Sequence, residues 1–195
     1  MMKLNLLLAL AVTASQAAAA PSFASHCKGG ETTYFNCSVK NGGKVVSLCG
    51  KAEEGAGSYL QYRYGTPRRP LELIYPPAVS DTAMGTTFFF DSSAEKDGSH
   101  SEAGVWFEHE NTYYKLKYGV NAGPGGQLTT TESEILMWAG VPSGAPRNLL
   151  CKQTHGGENL PKASALIKSM SPKGRVWQMS PLDVHYQPKP QAEAD

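Results

Sequence analysis

Two groups of side chains in this sequence have the types that chemistry requires. The first is His100, Glu102 and His109, with Glu108 and Glu110 on either side of the second histidine. Imidazole and carboxylate together bind zinc or copper, or move protons near neutral pH. On an extended strand, adjacent side chains point to opposite faces, so Glu108 and Glu110 cannot both join His109 unless a turn bends the chain. His100 and Glu102, two apart, share a face if their segment is extended. The plainer account is a polar hairpin tip beside a solvated loop. A metalloprotein or hydrolase built on these three residues is therefore the alternative reading.

The second group is Tyr59, Arg63, Arg68 and Arg69. Tyr59, Gln61 and Arg63 fall on one face of an alternating segment, and Leu60, Tyr62 and Tyr64 on the other. Tyr and Arg dominate binding hot spots. An exposed Tyr/Arg strand beside an Arg-Arg loop suits an acidic or sugar-rich partner. Its plainer account is a tyrosine core face with solvated arginines.

Other chemistry lacks its pattern. No Gly-x-Ser-x-Gly pentapeptide marks a nucleophilic serine. Neither a phosphate-binding loop nor a dinucleotide fingerprint occurs. His155-Gly156-Gly157-Glu158 has the flexibility for a ligand loop but is equally an ordinary turn. No cofactor is implied. Lys and Arg total 18 against 17 acids, a balance with no footprint for nucleic acid.

The compartment follows from the amino terminus. Lys3 precedes an apolar stretch, Leu4 to Ala14, and small residues follow. This pattern is a signal peptide, cleaved after Ala19 and too short to span a bilayer. Cleavage removes one lysine and no acid, leaving 17 charges of each sign. The expected location is periplasmic or secreted, with no transmembrane span.

Export makes Cys27, Cys37, Cys49 and Cys151 candidates for two disulfides. Zinc is the weaker competitor, because no C-x-x-C or paired His spacing is present. Asn41-Gly42-Gly43 turns a hairpin between Thr33–Val39 and Val45–Cys49. With an even loop, Val46 and Leu48 join the face of Phe35, Cys37 and Val39, and Cys49 points away. Cys37 and Cys49 then cannot meet, since a disulfide needs Cβ atoms about 4 Å apart. The pairing expected is Cys27–Cys37 with Cys49–Cys151.

The rest of the chain alternates short apolar segments with Gly, Pro, Asn and Asp, the pattern of an all-β protein. Strands are predicted at Ser58–Tyr64, Leu71–Tyr75 and Thr86–Asp91, then a loop at Ser92–Ser101. A second hairpin joins Gly104–His109 to Thr112–Val120 through Glu110-Asn111. It sets Val105 and Phe107 beside Tyr114, Leu116 and Tyr118, and Trp106 opposite Lys115 as a cation–π pair. Short strands at Leu128–Thr131 and Ile135–Ala139 precede a last core strand at Arg147–Gln153. Leu160 to Met170 is a helix with Asn159 near its cap. Val176–Met179 is a possible edge strand. Such a sheet must close or stack to hide its edges. The expected fold is all-β: an antiparallel small barrel or sandwich of about eight to ten strands, with one short C-terminal helix. Residues 20–180 form one domain and residues 181–195 a disordered polar tail.

Phe35-Asn36-Cys37, Asn41-Gly42-Gly43-Lys44 and Val46-Ser47-Leu48-Cys49 carry a resemblance. So do Tyr59-Leu60-Gln61-Tyr62-Arg63-Tyr64-Gly65 and Glu72-Leu73-Ile74-Tyr75-Pro76. Across roughly residues 33–120 the chain resembles a group of small exported proteobacterial β-proteins, which implies an exported β-protein and no catalytic residues. Gly57-Ser58-Tyr59 also resembles an element of periplasmic lysozyme inhibitors, although the surrounding inhibitory loop is absent. The function expected is a cell-envelope binding protein with a protein or glycan partner, one candidate being a lysozyme-type hydrolase.

Overall fold

The computed structural model describes residues 23–53, 57–79, 88–140, 142 and 144–170. Among the described residues there are nine strands: β1 (Thr32–Val39), β2 (Val45–Lys51), β3 (Tyr59–Gly65), β4 (Leu73–Tyr75), β5 (Phe89–Ala94), β6 (His100–His109), β7 (Thr112–Ala122), β8 (Leu128–Ala139) and β9 (Arg147–His155). They form one sheet in the order β4-β3-β2-β1-β9-β8-β7-β6-β5, antiparallel throughout. The first and last strands lie side by side at its centre.

The sheet curls until its two ends meet. The ring of Tyr75 on β4 stacks at 4.8 Å on Phe107 of β6 and meets Phe88, just before β5, at 5.9 Å. The result is a half-barrel, between the two closures expected. Its concave face carries the alternating apolar set: Phe35, Cys37, Val46, Leu48, Leu60, Tyr62, Val105, Phe107, Leu116 and Ile135 are all buried. Helix α1 (Leu160–Met170) plugs that face, touching β1, β3, β5 and β6. Leu160, Ala163, Leu166, Ile167 and Met170 recur at helical spacing and are buried against the sheet.

Glycine lets the helix approach. Gly156 takes a left-handed φ of +77° with Thr33 O only 2.9 Å from where a Cβ would stand. At Gly157 a Cβ would overlap the Tyr118 ring. Asn159 Nδ2 then donates to Thr33 O at 3.3 Å, anchoring the helix start to the beginning of β1.

Both hairpins have the expected register. Phe35 pairs with Leu48 and Cys37 with Val46, while Cys49 is on the convex side. Trp106 pairs with Lys115, whose Nζ lies 4.9 Å from the indole centroid. Several boundaries differ: β4 begins at Leu73, β7 and β9 run on to Ala122 and His155, and two larger changes fall in polar segments. β5 runs on through Ser92 and Ser93, and β6 begins at His100, so the polar loop shrinks to a tight turn. Glu95 N donates there to His100 O. Leu128–Thr131 and Ile135–Ala139 are one strand, β8, bridged by Glu132 and Glu134. Ser93, Glu132 and Glu134 sit on the convex side, where a strand accepts polar residues, and Ser92, opposite Ala103 on the other face, is exposed near the end of β5. The proposed edge strand at Val176–Met179, the tail and the signal segment lie outside the described residues.

The disulfide pairing differs from expectation: the bonds are Cys27–Cys49 and Cys37–Cys151. The parity that separates Cys37 from Cys49 also decides their partners. β9 lies beside β1, with Val39 opposite Cys151, so Cys151 shares the concave face with Cys37. Cys49 faces out and meets Cys27, on the segment that crosses the convex side. Two formed disulfides fit an oxidising compartment. Among the described residues, no helix is long and apolar enough to cross a membrane.

Candidate functional site

The segment from Phe23 to Glu31 straps the convex face of β1–β3. Cys27–Cys49 ties it down, His26 N donates to Ser47 Oγ at 3.0 Å, and Asn36 Nδ2 donates to Ala24 O at 2.9 Å. Beneath the strap lies Arg63, 4% exposed. Its Nη1 and Nη2 donate to the two Glu31 oxygens at 2.6 and 2.7 Å, and Nη1 also donates to His26 O at 2.8 Å. Its Nε donates to Gln61 Oε1 at 2.8 Å. Tyr59 OH donates to Glu31 Oε1 at 2.5 Å. Tyr59 and Arg63 therefore brace the strap, and the exposed Tyr/Arg strand anticipated from alternation is covered.

Burial alone would raise the Glu31 pKa. Hydrogen bonds from Arg63, Tyr59 and the Lys28 amide, with the charge of Arg63, outweigh it and hold the carboxyl at about 2. Sequence offered no sign of this partner, since Glu31 and Arg63 are far apart in the chain.

Arg68 and Arg69 are placed differently. They occupy the turn between β3 and β4, where Arg68 takes φ +63° and Arg69 N donates to Thr66 O at 3.2 Å. Both are exposed, and neither has a carboxylate partner among the described residues. Pro67, just before them, forms part of a cleft of about 610 Å³. Its other walls are Ala24 of the strap, the β1–β2 hairpin from Ser38 to Val45, and Lys152 and Gln153 on β9. Three lysines, Lys40, Lys44 and Lys152, line it, and no acid does. Lys44 is neutralised from outside by Glu72 at 2.6 Å, which raises its pKa, while its Nζ sits 5.2 Å above the Tyr64 ring. Lys40 and Lys152 have no such neighbour among the described residues. The arrangement favours an anion: uncompensated cations around a concavity raise the local concentration of negative groups.

The three residues of the metal reading do not converge. His100 Nδ1 is 2.8 Å from Asn121 Oδ1. Glu102 accepts from Lys115 at 2.6 Å and pairs with Lys117 at 3.3 Å. Burial opposes the charge on Glu102, but those two lysines keep its pKa low. His109 lies at the far end of β6, its ring 5.3 Å from Tyr75. Nine residues of strand separate the histidines by about 30 Å. Their odd offset also puts them on opposite faces. Among the described residues one cluster has metal-binding geometry, Cys27, Glu31 and Cys49. Its sulfurs are spent in a disulfide and its carboxylate is held by Arg63.

Glu102 belongs instead to a ribbon across the convex face of β5–β8. Lys115, 5% exposed, bridges Asp91 at 3.0 Å and Glu102, and Lys117 bridges Glu102 and Glu134 at 3.2 Å. Gly104 makes room for it, because a Cβ there would overlap Asp91 Oδ1 and Lys115 Cε. Trp106 and Trp138 stack beside the ribbon at 5.2 Å. His155 is exposed and stacks on Phe23 at 5.5 Å.

No protein-family model, curated protein or solved structure matches the chain.

Proposed function

We propose that the protein is an exported cell-envelope binding protein that takes an acidic partner at the lysine-lined cleft, with Arg68 and Arg69 as its flanking contacts. The observation that carries this reading is the acid-free cleft beside two arginines that no carboxylate neutralises among the described residues. The partner class to test first is a secreted hydrolase of the lysozyme type. Such enzymes carry paired carboxylates in an open groove, and a basic loop beside a projecting hairpin complements that charge. Tyr59 and Arg63 hold the strap that forms one wall of the cleft, so their contribution to binding is indirect. The protein binds as folded, without a cofactor.

The test is a lysis assay with the purified chain lacking residues 1–19. Excess protein should slow lysis, and the charge reversal Arg68→Glu/Arg69→Glu should restore it at least tenfold in inhibitor concentration. Undiminished lysis at excess protein removes the hydrolase as partner. In-cell crosslinking from position 68 that captures only partners lacking an acidic surface removes the acidic-partner reading as well.

A further inference from the structure

The lysine-lined cleft, at about 610 Å³, has the volume of a small-molecule site. The Lys44 ammonium is spent on Glu72 and the Tyr64 ring, which leaves Lys40 and Lys152 as the cations of the cleft. Both are exposed, and neither has a carboxylate partner among the described residues.

Their backbones are fastened to each other. Lys40 N donates to Leu150 O at 2.8 Å. Cys37, just before this point on β1, is joined to Cys151, the residue before Lys152. The β1–β9 register also shifts here. Ser38 faces Gln153 and Val39 faces Cys151, so Lys152 is the extra residue of a β-bulge. Strict alternation would send Lys152 and Gln153 to opposite faces. The bulge re-aims the chain, and both residues line the cleft. Two like charges brought to one concavity repel each other, and the fold gains nothing from that. A bound anion relieves the repulsion.

The residue types narrow the anion. Lysines are compact point charges that suit phosphate, and a phosphomonoester carries about −1.5 to −2 at neutral pH, a match for two of them. A carboxylate carries one charge and is matched best by the planar fork of arginine, and no arginine lines the cleft. Ser38, Asn41 and Gln153 supply hydroxyl and amide groups along the same walls. Such groups both donate and accept, as sugar hydroxyls require.

We propose that the cleft binds a sugar phosphomonoester, an inference that rests on reading the cleft as an anion site. The phosphate sits between Lys40 and Lys152, and the sugar hydroxyls meet Ser38, Asn41 and Gln153.

The experiment is calorimetric titration of the folded chain lacking residues 1–19, at neutral pH, with glucose 6-phosphate, glucuronate, inorganic phosphate and glucose in turn. Amide shifts are followed on labelled protein. Saturable one-to-one binding of glucose 6-phosphate is expected, with shifts at Lys40, Gly42, Lys152 and Gln153. Glucuronate, which has less charge, and inorganic phosphate, which lacks the sugar, should each bind about tenfold more weakly or worse, and glucose should not bind. Lys40→Gln and Lys152→Gln should each weaken glucose 6-phosphate about tenfold, the loss of a charge-assisted contact. Gly42→Asp should abolish its binding by placing an acid at the rim; a Cβ there comes no closer than 4.0 Å to Lys44 N, so the turn accepts it. Circular dichroism confirms that each variant folds. The proposal is overturned by absence of saturable glucose 6-phosphate binding, by equal affinity for glucuronate or inorganic phosphate, or by unchanged binding in both lysine variants. The lysis assay reads the protein partner instead. Sugar-phosphate binding with undiminished lysis removes the hydrolase and leaves this site standing; slowed lysis without sugar-phosphate binding does the reverse.

Discussion

At the scale of single residues, Glu31 behaves as a structural anion. Its pKa is held at about 2 against an ordinary value of 4.5, so it binds fewer protons folded than unfolded. A depressed acid stabilises the fold above its unfolded pKa and loses that contribution as pH falls toward the folded value. Between pH 4.5 and about 2 the wild type should therefore lose stability, and Glu31→Gln should lack that component. Urea midpoints measured across this range decide it; parallel pH profiles would show that Glu31 is not the group responsible. At neutral pH, Arg63→Ala should cost about 3–5 kcal/mol, because it strands a buried carboxylate. The same change at the exposed Arg68 should stay within about 0.5 kcal/mol. Alternation put Tyr59, Gln61 and Arg63 on one face. It gave no hint of the strap over that face, because Glu31 lies 32 positions from Arg63 and no periodicity links them.

Individual elements were legible in proportion to how local their causes are. The two long hairpins come from alternation and turn residues within about 20 positions, and their registers are as expected. α1 is marked by its own apolar spacing. β4 and the polar half of β5 are less clear, since tertiary pairing rather than composition holds them. The disulfides are the sharpest case: the parity within one hairpin was readable, but the adjacency of β1 and β9 was not. Their contributions should differ. Cys37–Cys151 closes a separation of 114 residues and Cys27–Cys49 one of 22. Loop-closure entropy assigns them about 5 and about 3 kcal/mol. Replacing the first pair by serine should lower the denaturation midpoint more than replacing the second. The reverse order would mean that the strap, rather than chain closure, dominates. Removing Cys27–Cys49 should also loosen the strap and alter the lysine cleft, whereas removing Cys37–Cys151 loosens the joint between β1 and β9.

At the scale of the whole molecule, near-zero net charge conceals a strong division of labour. In the convex ribbon Asp91, Glu102 and Glu134 are paired with Lys115 and Lys117, while Lys40, Lys152, Arg68, Arg69 and Arg147 have no carboxylate partner among the described residues. Unpaired cations act over a Debye length, which falls from about 30 Å at 0.01 M salt to about 8 Å at 0.15 M. The association rate with an acidic partner should therefore drop steeply over that range in stopped-flow measurements. A flat dependence would remove charge as the recruiting force. Composition could not show this, since it counts charges without saying which are already spent.

The two disulfides also interleave along the chain, Cys27–Cys49 spanning Cys37 and Cys37–Cys151 spanning Cys49. A polypeptide emerges amino end first, so Cys27 and Cys37 become available to each other before either native partner exists. An oxidant acting on the growing chain would join this wrong pair. The error is reversed only by attack of a free thiolate on that bond. Maturation is direct only where Cys27 waits for Cys49 and Cys37 stays reduced until residue 151 has emerged; otherwise an isomerase must reshuffle the early bond. The arrangement of four cysteines makes the timing of oxidation part of the information needed to build this molecule.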